Sequence, residues 1–181
     1  MSKITIVQDS REKHGHHDNV LQGLHECGIN VVRSKLYVGD YAKIYDMSVV
    51  IDVKQDLQEV YGNLIGEQHR RFTDECKRAQ GNDIRLIILV EQTGIKSIED
   101  VKDWVNPREE RYFRILEGKK FGKYRNVKLP EKPPVSSEQL MRIMKTVAER
   151  YGCEWMFCDK SETVNVMLEV FGIGRNYQFA I

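Results

Sequence analysis

The chain has 181 residues, of which 41% are hydrophobic and 30% are charged, and this composition favours one globular domain over a disordered or fibrous chain. Its 28 Lys and Arg balance 27 Asp and Glu, so a surface that binds a polyanion would require local segregation of charge. The sequence carries no signal peptide or membrane-spanning apolar run. We therefore expect a cytoplasmic protein with no membrane partner, whose four cysteines stay reduced.

The chain opens with a predicted strand, helix and second strand. Residues 3–9 (KITIVQD) are rich in β-branched side chains and end at an acid, which is typical of a strand. The helix that follows ends at Gly28, because glycine readily adopts the left-handed backbone that closes many helices. Residues 29–35 (INVVRSK) predict the second strand. This alternation is the first indication of an α/β fold.

An antiparallel hairpin is predicted next. The segments DYAKIY and MSVVIDVK, within residues 40–54, are two strand-like runs with a turn at Tyr45–Asp46. In the second run, the strand period of two places Asp52 and Lys54 on one face and Val53 on the other. This strand therefore ends with a carboxylate and an ammonium group side by side.

A helix and a fully buried strand are predicted after the hairpin. Within residues 66–81, Phe72, Cys76 and Ala79 are spaced by four and three and share one helical face. Residues 84–91 (IRLIILVE) are apolar at almost every position, which is typical of a central strand covered on both faces. A strand of this kind requires a layer of helices on each side of the sheet.

The segment 94–135 differs from its surroundings and is predicted to be a basic insertion. It begins with an amphipathic helix within residues 93–106 (TGIKSIEDVKDWVN). Between residues 108 and 132, Lys and Arg outnumber acids and alternate with aromatic side chains, a composition suited to phosphate contact and base stacking. The alternative is a surface flap with solvated charges. The nucleic-acid contacts predicted in this segment are Lys119, Lys120 and Lys123.

The chain closes with a predicted helix, strand and helix. Residues 136–152 have a Ser cap, an acid in the first turn and an apolar stripe. Residues 153–159 (CEWMFCD) predict a strand and residues 160–172 the last helix. Together these elements predict an α/β/α sandwich with a mixed central sheet, in a single domain that covers residues 1–181.

Three acidic segments lie where predicted strands begin or end. QDSRE follows the first strand, VGDY enters the hairpin and IDVK closes it. Strand ends that meet at one edge of a sheet would bring Asp9, Asp40 and Asp52 to one pocket. Hydrolysis of a phosphodiester uses a hard divalent cation held by oxygen ligands. We expect Asp40 and Asp52, with the backbone carbonyl of Val53, to hold Mg²⁺ or Mn²⁺.

The same edge carries groups that would act on water and phosphate. Lys54 would lie beside the attacking water or a phosphate oxygen, near the developing negative charge. Asp9 and Glu12 would extend the site toward metal or water, and Arg11 would clamp a phosphate. The sequence therefore predicts six catalytic residues, which are Asp9, Arg11, Glu12, Asp40, Asp52 and Lys54.

These motifs resemble the PD-(D/E)xK nuclease superfamily and, more closely, its XPF-type nuclease domain. That family carries Asp-x-Arg-Glu near the first strand, Gly-Asp-Tyr at the hairpin and Glu-Arg-Lys at the strand end. This sequence is similar at residues 9–12 (DSRE), 39–41 (GDY) and 52–54 (DVK). The resemblance covers roughly residues 3–92 and includes Arg71, at the position of a family Arg that would contact DNA.

The resemblance implies a restriction-endonuclease-like fold and a metal-dependent DNA endonuclease, in a stand-alone bacterial or phage-type form. It implies branched, flap or nicked DNA as the substrate and pairing of nuclease domains into a homodimer. A rival interpretation is a non-catalytic DNA-binding or scaffold protein that keeps the nuclease fold. A third is a sequence-specific restriction-type enzyme that reads DNA through the insertion.

Two departures from the family pattern bear on this choice. Val53 replaces the family's middle Arg, which favours the scaffold interpretation, whereas the retained acids and Lys54 favour a nuclease. The family has an Asp four residues after the Lys, but here that position is Gln58 and the nearest acid is Asp56. Either a shifted helix start lets Asp56 compensate, or this outer ligand is missing.

Overall fold

The structure is a computed structural model that describes residues 4–11, 15 and 17–174, in which helices cover both faces of a mixed sheet. The strands in this part of the chain are β1 (Thr5–Asp9), β2 (Asn30–Ser34), β3 (Tyr41–Lys43), β4 (Asp46–Lys54), β5 (Arg85–Glu91) and β6 (Glu154–Cys158). The α-helices are α1 (Asp18–Glu26), α2 (Leu57–Ile65), α3 (His69–Gln80), α4 (Pro107–Lys120), α5 (Ser137–Tyr151) and α6 (Thr163–Val170). None of these described helices is long and apolar enough to span a membrane.

The strands are arranged in the order β2-β1-β3-β4-β5-β6. β3 runs antiparallel to both β1 and β4, while β1 and β2 are parallel and β4, β5 and β6 are parallel. The mixed sheet and the predicted hairpin are therefore confirmed. This topology places the end of β1, the start of β3 and the end of β4 at one edge of the sheet.

Each face of the sheet has its own hydrophobic core. Val50 and Ile88 belong to the core beneath α2, α3 and α5, whereas Ile51 and Val53 belong to the core beneath α1 and α6. Side chains along β4 thus alternate between the two cores, as the strand period requires. β5 is covered on both faces, since Leu86 to Val90 are at most 1% exposed.

The structure differs from the predicted elements around two helices. Residues 93–106 do not form one amphipathic α-helix; they contain a 3₁₀ helix at Ile98–Asp103. α4 starts within the predicted insertion because Asn106 accepts a hydrogen bond from the Arg108 N–H and Pro107 takes the first helical position. α2 was not predicted, since its nine residues are too few for a clear apolar period.

Candidate active site

Backbone hydrogen bonds hold the three acidic segments together at one edge of the sheet. The N–H of Asp9 donates to the carbonyl of Asp40 at 2.8 Å, and the N–H of Asp40 donates to the carbonyl of Ile51 at 2.9 Å. Asp52 follows directly in the chain, with its side chain on the α2 and α3 side of β4. The structure therefore places Asp9, Asp40 and Asp52 close together, as the sequence predicts.

The turn before Asp40 requires a glycine. Gly39 has φ of +64°, and a Cβ at this position would lie 2.4 Å from Val50 Cγ1 and 3.1 Å from the carbonyl oxygen of Ile51. Any side chain here would be strained and would push β4 away. The Gly39 N–H donates to Glu75 Oε1 of α3 at 2.8 Å. This hydrogen bond holds the turn that precedes Asp40 against α3.

Asp40 and Val53 are linked across the hairpin. The N–H of Val53 donates to Asp40 Oδ2 at 2.8 Å, which orients the carboxylate toward the end of β4. The side chain of Val53 is packed in the core beneath α1 and α6. An arginine at this position would thus point away from the acidic edge, and its replacement by valine does not remove a cation from that edge.

Lys54 and Asp52 form a buried ion pair. Lys54 Nζ lies 2.9 Å from Asp52 Oδ1 and 2.8 Å from Oδ2, and the two residues are 8% and 3% exposed. Burial by itself would lower the pKa of Lys54, but the charges of Asp52, Asp40 and Glu59 and the hydrogen bond to Asp52 raise it. Lys54 is therefore an ammonium ion at neutral pH and cannot accept a proton from water.

Arg11 is held by Asp9. Its Nε donates to Asp9 Oδ2 at 2.8 Å and to Oδ1 at 3.1 Å, its Nη2 also contacts the carboxylate, and Nη2 donates to the carbonyl of Leu36 at 2.9 Å. Asp9 is thus engaged by a cation, while the half-exposed Arg11 faces the pocket. Glu12, the remaining predicted catalytic residue, lies outside the described residues.

These groups line a pocket of about 400 Å³ between the sheet edge and helices α2 and α3. The predicted residues that line it are Asp9, Arg11, Asp40, Asp52, Lys54 and Arg71. Further charged residues that line it are Glu59, Glu75 and Arg78, which the sequence reasoning missed. For Glu75 and Arg78 the signal was helical spacing, because Arg71, Glu75 and Arg78 are spaced by four and three along α3.

The pocket suits a metal ion with few protein ligands. Among the described residues, no three His, Cys, Asp or Glu side chains are grouped closely enough to bind one ion. Asp52 Oδ2 is buried and forms the ion pair with Lys54 Nζ at 2.8 Å, but it accepts no well-aligned hydrogen bond in this part of the chain. Mg²⁺ commonly binds one or two carboxylates and fills its other positions with water and phosphate. Asp40 and Asp52 fit that requirement.

Asp56 acts as a helix cap. Its Oδ1 accepts a hydrogen bond from the N–H of Glu59 at 2.8 Å and so starts α2, and it does not line the pocket. Asp56 therefore caps α2 and does not reach the pocket. The acid that reaches the pocket from α2 is Glu59, whose Oε1 lies 3.7 Å from Lys54 Nζ.

The predicted DNA-contacting lysines lie apart from the pocket. Lys119 and Lys120 end α4 and Lys123 follows it, and none of them lines the pocket. The stretch from Arg108 to Val135 contacts Tyr61 of α2 at both of its ends: the Arg108 guanidinium lies 5.0 Å from the centre of the Tyr61 ring, and the Val135 N–H donates to the Tyr61 hydroxyl at 3.0 Å. The structure therefore brings Arg71, but not these lysines, to the acidic edge.

The chain is similar to one known domain family and to solved structures. The sequence profile of the ERCC4 domain matches residues 8–170. XPF from Aeropyrum pernix is similar in fold, with a TM-score of 0.56 and 17% identity, over 94% of this chain and 66% of that chain. XPF from Aeropyrum pernix in complex with DNA has the same TM-score of 0.56 and 17% identity, over 99% of this chain and 68% of that chain. No curated protein is significantly similar in sequence.

The comparisons agree with the architecture described above. The match to XPF confirms the predicted fold, a mixed sheet of six strands with flanking helices. The ERCC4 profile covers most of the chain, from the acidic end of β1 to the end of α6. This extent, together with the order of the acidic motifs on β1, β3 and β4, means that the chain belongs to the ERCC4 domain family.

Proposed function

We propose that this protein is a DNA endonuclease that depends on Mg²⁺ or Mn²⁺. The observation that carries the proposal is the convergence of Asp40, Asp52 and Lys54, all buried, at one edge of the sheet in an open pocket. Membership of the ERCC4 domain family and a fold shared with XPF, one of whose structures is a complex with DNA, support a DNA substrate.

In this proposal Asp40 and Asp52, with the backbone carbonyl of Val53, hold the metal ion. The bound ion would polarise the phosphate and lower the pKa of a water molecule. The Val53 N–H fixes the orientation of the Asp40 carboxylate, and the Lys54 ammonium fixes that of Asp52. Both ligands are therefore oriented before the substrate arrives, which reduces the cost of reorganisation.

Lys54 and Arg11 supply positive charge. Because Lys54 remains an ammonium ion, it orients water through hydrogen bonds and stabilises the negative charge that develops on the phosphate. Asp9 holds Arg11 beside the pocket through its Nε and Nη2, where the remaining donors can bind a phosphate oxygen. Asp9 thus acts through Arg11, while Glu12 stays a proposed member of the site.

The proposal includes the substrate and the partners. Branched, flap or nicked DNA would be cut by a homodimer in the cytoplasm, where the four cysteines, all free, stay reduced. Arg71 in the pocket and the lysines of the proposed insertion 94–135 would bind phosphates. The restriction-type alternative would instead read bases through that insertion.

The rival function is a non-catalytic DNA-binding or scaffold protein. Its support was the replacement of the family's middle Arg by Val53. Since Val53 points into the core beneath α1 and α6, the substitution leaves the acidic pocket intact and does not weigh against catalysis. A buried Lys–Asp pair is costly to keep without a function, and this favours the nuclease.

A cleavage assay tests the proposal. Purified protein is incubated with linear, nicked, flap and four-way DNA in Mg²⁺, Mn²⁺ or EDTA. Asp40→Asn is the sharpest variant, because its amide oxygen can still accept the Val53 N–H while the charge is lost. We expect cleavage with either metal, none in EDTA, and a loss of about 100-fold or more in the variant. Absence of cleavage by wild type in both metals would reject the function.

A further inference from the structure

In the part of the chain that the structure describes, two arginines in the pocket are not held by an ion pair or a hydrogen bond. Lys54 is paired with Asp52 and Arg11 with Asp9. Within the described part of the chain, the guanidinium groups of Arg71 and Arg78 form no ion pair and no hydrogen bond, although both residues line the pocket. They lie seven positions apart on α3, which is about 10 Å along a helix axis.

The charge balance of the pocket makes these arginines the available phosphate binders. The acids that line it are Asp9, Asp40, Asp52, Glu59 and Glu75, against the cations Arg11, Lys54, Arg71 and Arg78. A polyanionic strand would be repelled by such a surface unless unpaired cations faced it. Arg71 and Arg78 meet this condition, and each can bind a phosphate through a planar fork of donors.

Arg78, which lines the pocket, also contacts an exposed tyrosine outside the lining. Its guanidinium carbon lies 5.9 Å from the centre of the Tyr37 ring, within the range of a cation–π contact. Tyr37 is 59% exposed and belongs to the loop between β2 and β3, two positions before Gly39. The same loop therefore carries an exposed ring and the Asp40 carboxylate.

We propose that Tyr37 and Arg78 form a subsite for an unpaired nucleotide beside the phosphate that is cut. Arg78 binds the phosphate of this nucleotide, and the Tyr37 ring stacks on its base. A base within a duplex is covered on both faces by its neighbours, so only an unpaired or unstacked base reaches such a ring. The inference rests on the proposed function and adds a residue that selects the DNA structure at the cut.

Binding without metal tests the stacking directly. Flap DNA carries 2-aminopurine at the unpaired position that adjoins the duplex, and its fluorescence is followed on binding in EDTA. Wild type and Tyr37→Phe should quench the probe, whereas Tyr37→Ala should leave it bright and weaken binding about 10-fold. Tyr45→Ala is the matched control, because Tyr45 is 96% exposed on the β3–β4 turn, at the other end of the hairpin.

Salt dependence tests the phosphate contact. Arg78→Ala should reduce the slope of log K against log salt by about 0.7, the value for one phosphate of a single strand, and Arg78→Lys should restore it. Thermal unfolding of each variant checks that the fold is intact. Equal quenching by wild type and Tyr37→Ala, or an unchanged slope in Arg78→Ala, would overturn the subsite.

The outcomes separate this subsite from the proposed function. If wild type cuts DNA but the probe responds identically in Tyr37→Ala, the subsite is wrong and the nuclease stands. If the probe is quenched through Tyr37 but neither metal supports cleavage, Tyr37 and Arg78 remain a binding site for an unpaired nucleotide and the nuclease is rejected. If a probe placed in fully paired DNA is quenched equally, the proposed preference for an unpaired nucleotide is wrong.

Discussion

Proteins rarely bury a lysine, and Lys54 is buried beside three carboxylates. Its ammonium contacts both oxygens of Asp52 and lies near Glu59, and the Asp40 charge raises its pKa as well. Each charge in such a cluster is stable only because the others are present. Removal of the Lys54 cation alone and removal of the Lys54–Asp52 pair are therefore predicted to change the free energy of unfolding by different amounts.

Lys54→Met should separate the structural role of this pair from its catalytic role. The variant leaves Asp52 buried without its counter-ion, so we expect a loss of about 3 kcal/mol in the free energy of unfolding. Asp52→Asn combined with Lys54→Met should recover much of that stability, because neither buried charge then remains unpaired. Cleavage should fall about 100-fold or more in both.

Urea unfolding measures the free energy of unfolding, and single-turnover assays measure the cleavage rate, on the same preparations of each variant. A Lys54→Met protein as stable as wild type would contradict the buried-pair interpretation. Recovery of cleavage in the double variant would contradict the catalytic role of Lys54 and Asp52.

At the level of elements, the N-terminal caps of α2 and α5 offer a matched comparison. Asp56 caps α2, which lines the pocket through Glu59, Gly62 and Asn63. Ser136 caps α5 through the N–H of Gln139 at 3.2 Å, and α5 does not line the pocket. Similar local chemistry thus supports two helices of which only one borders the site.

Asp56→Ala and Ser136→Ala should each lower the free energy of unfolding by about 1 kcal/mol, the usual contribution of a cap. Only Asp56→Ala should also reduce cleavage, because α2 carries Glu59 beside Lys54. Thermal unfolding and initial rates at a temperature where both variants are folded provide the measurement. Equal rates in the two variants would mean that the start of α2 does not influence the site.

The stability that Asp46 contributes at the turn of the β3–β4 hairpin is predicted to depend on pH. Asp46 accepts hydrogen bonds from the Ser48 hydroxyl and N–H and pairs with Lys43 at 2.9 Å. These contacts lower the pKa of Asp46 from 3.8 to about 2, and the hydrogen bond from the Ser48 hydroxyl has the largest effect. A depressed carboxyl pKa stabilises the folded state above the unfolded value, and this contribution is lost as the pH falls through the folded value.

Carbon NMR of the Asp46 carboxyl from pH 5 down to the acid limit of the fold follows this titration. We expect a midpoint of about 2 in wild type and a higher midpoint in Ser48→Ala, which lacks the hydroxyl donor. Ser10→Ala serves as a control at an exposed serine outside the hairpin. A wild-type midpoint near 3.8 would rule out the turn geometry described above.

At the scale of the whole molecule, DNA binding depends on where the cations lie, because the net charge is only +1. Lys119, Lys120 and Lys123 are clustered at the end of α4, outside the pocket. If they bind duplex phosphates, their combined change to Ala should reduce the salt slope of binding by about 0.9 for each contact.

Lys160→Ala is the control, because Lys160 is an exposed lysine just before α6 in the opposite helix layer. Binding is measured in EDTA over a range of salt concentrations. An unchanged slope in the triple variant would remove this segment from the DNA interface and favour the solvated surface flap.

Much of the edge that carries the candidate site could be predicted from local pattern. The alternation of β4 placed Asp52 and Lys54 together and Val53 opposite, and the order of the acidic motifs indicated that strand ends meet. The prediction of one α-helix within residues 93–106 was wrong: a capping box between Ser97 and Asp100 starts a 3₁₀ helix that ends at Asp103. Predictions of this kind succeed where the deciding residues are near neighbours in sequence.

The sequence by itself determined which face of each strand carries the acids, because side-chain direction in a strand depends only on position along the chain. Only the tertiary structure decided that Glu59 and Glu75 join the pocket and that Arg78 contacts Tyr37. These contacts join elements that are distant in sequence, and their geometry follows from how α2 and α3 pack on the sheet.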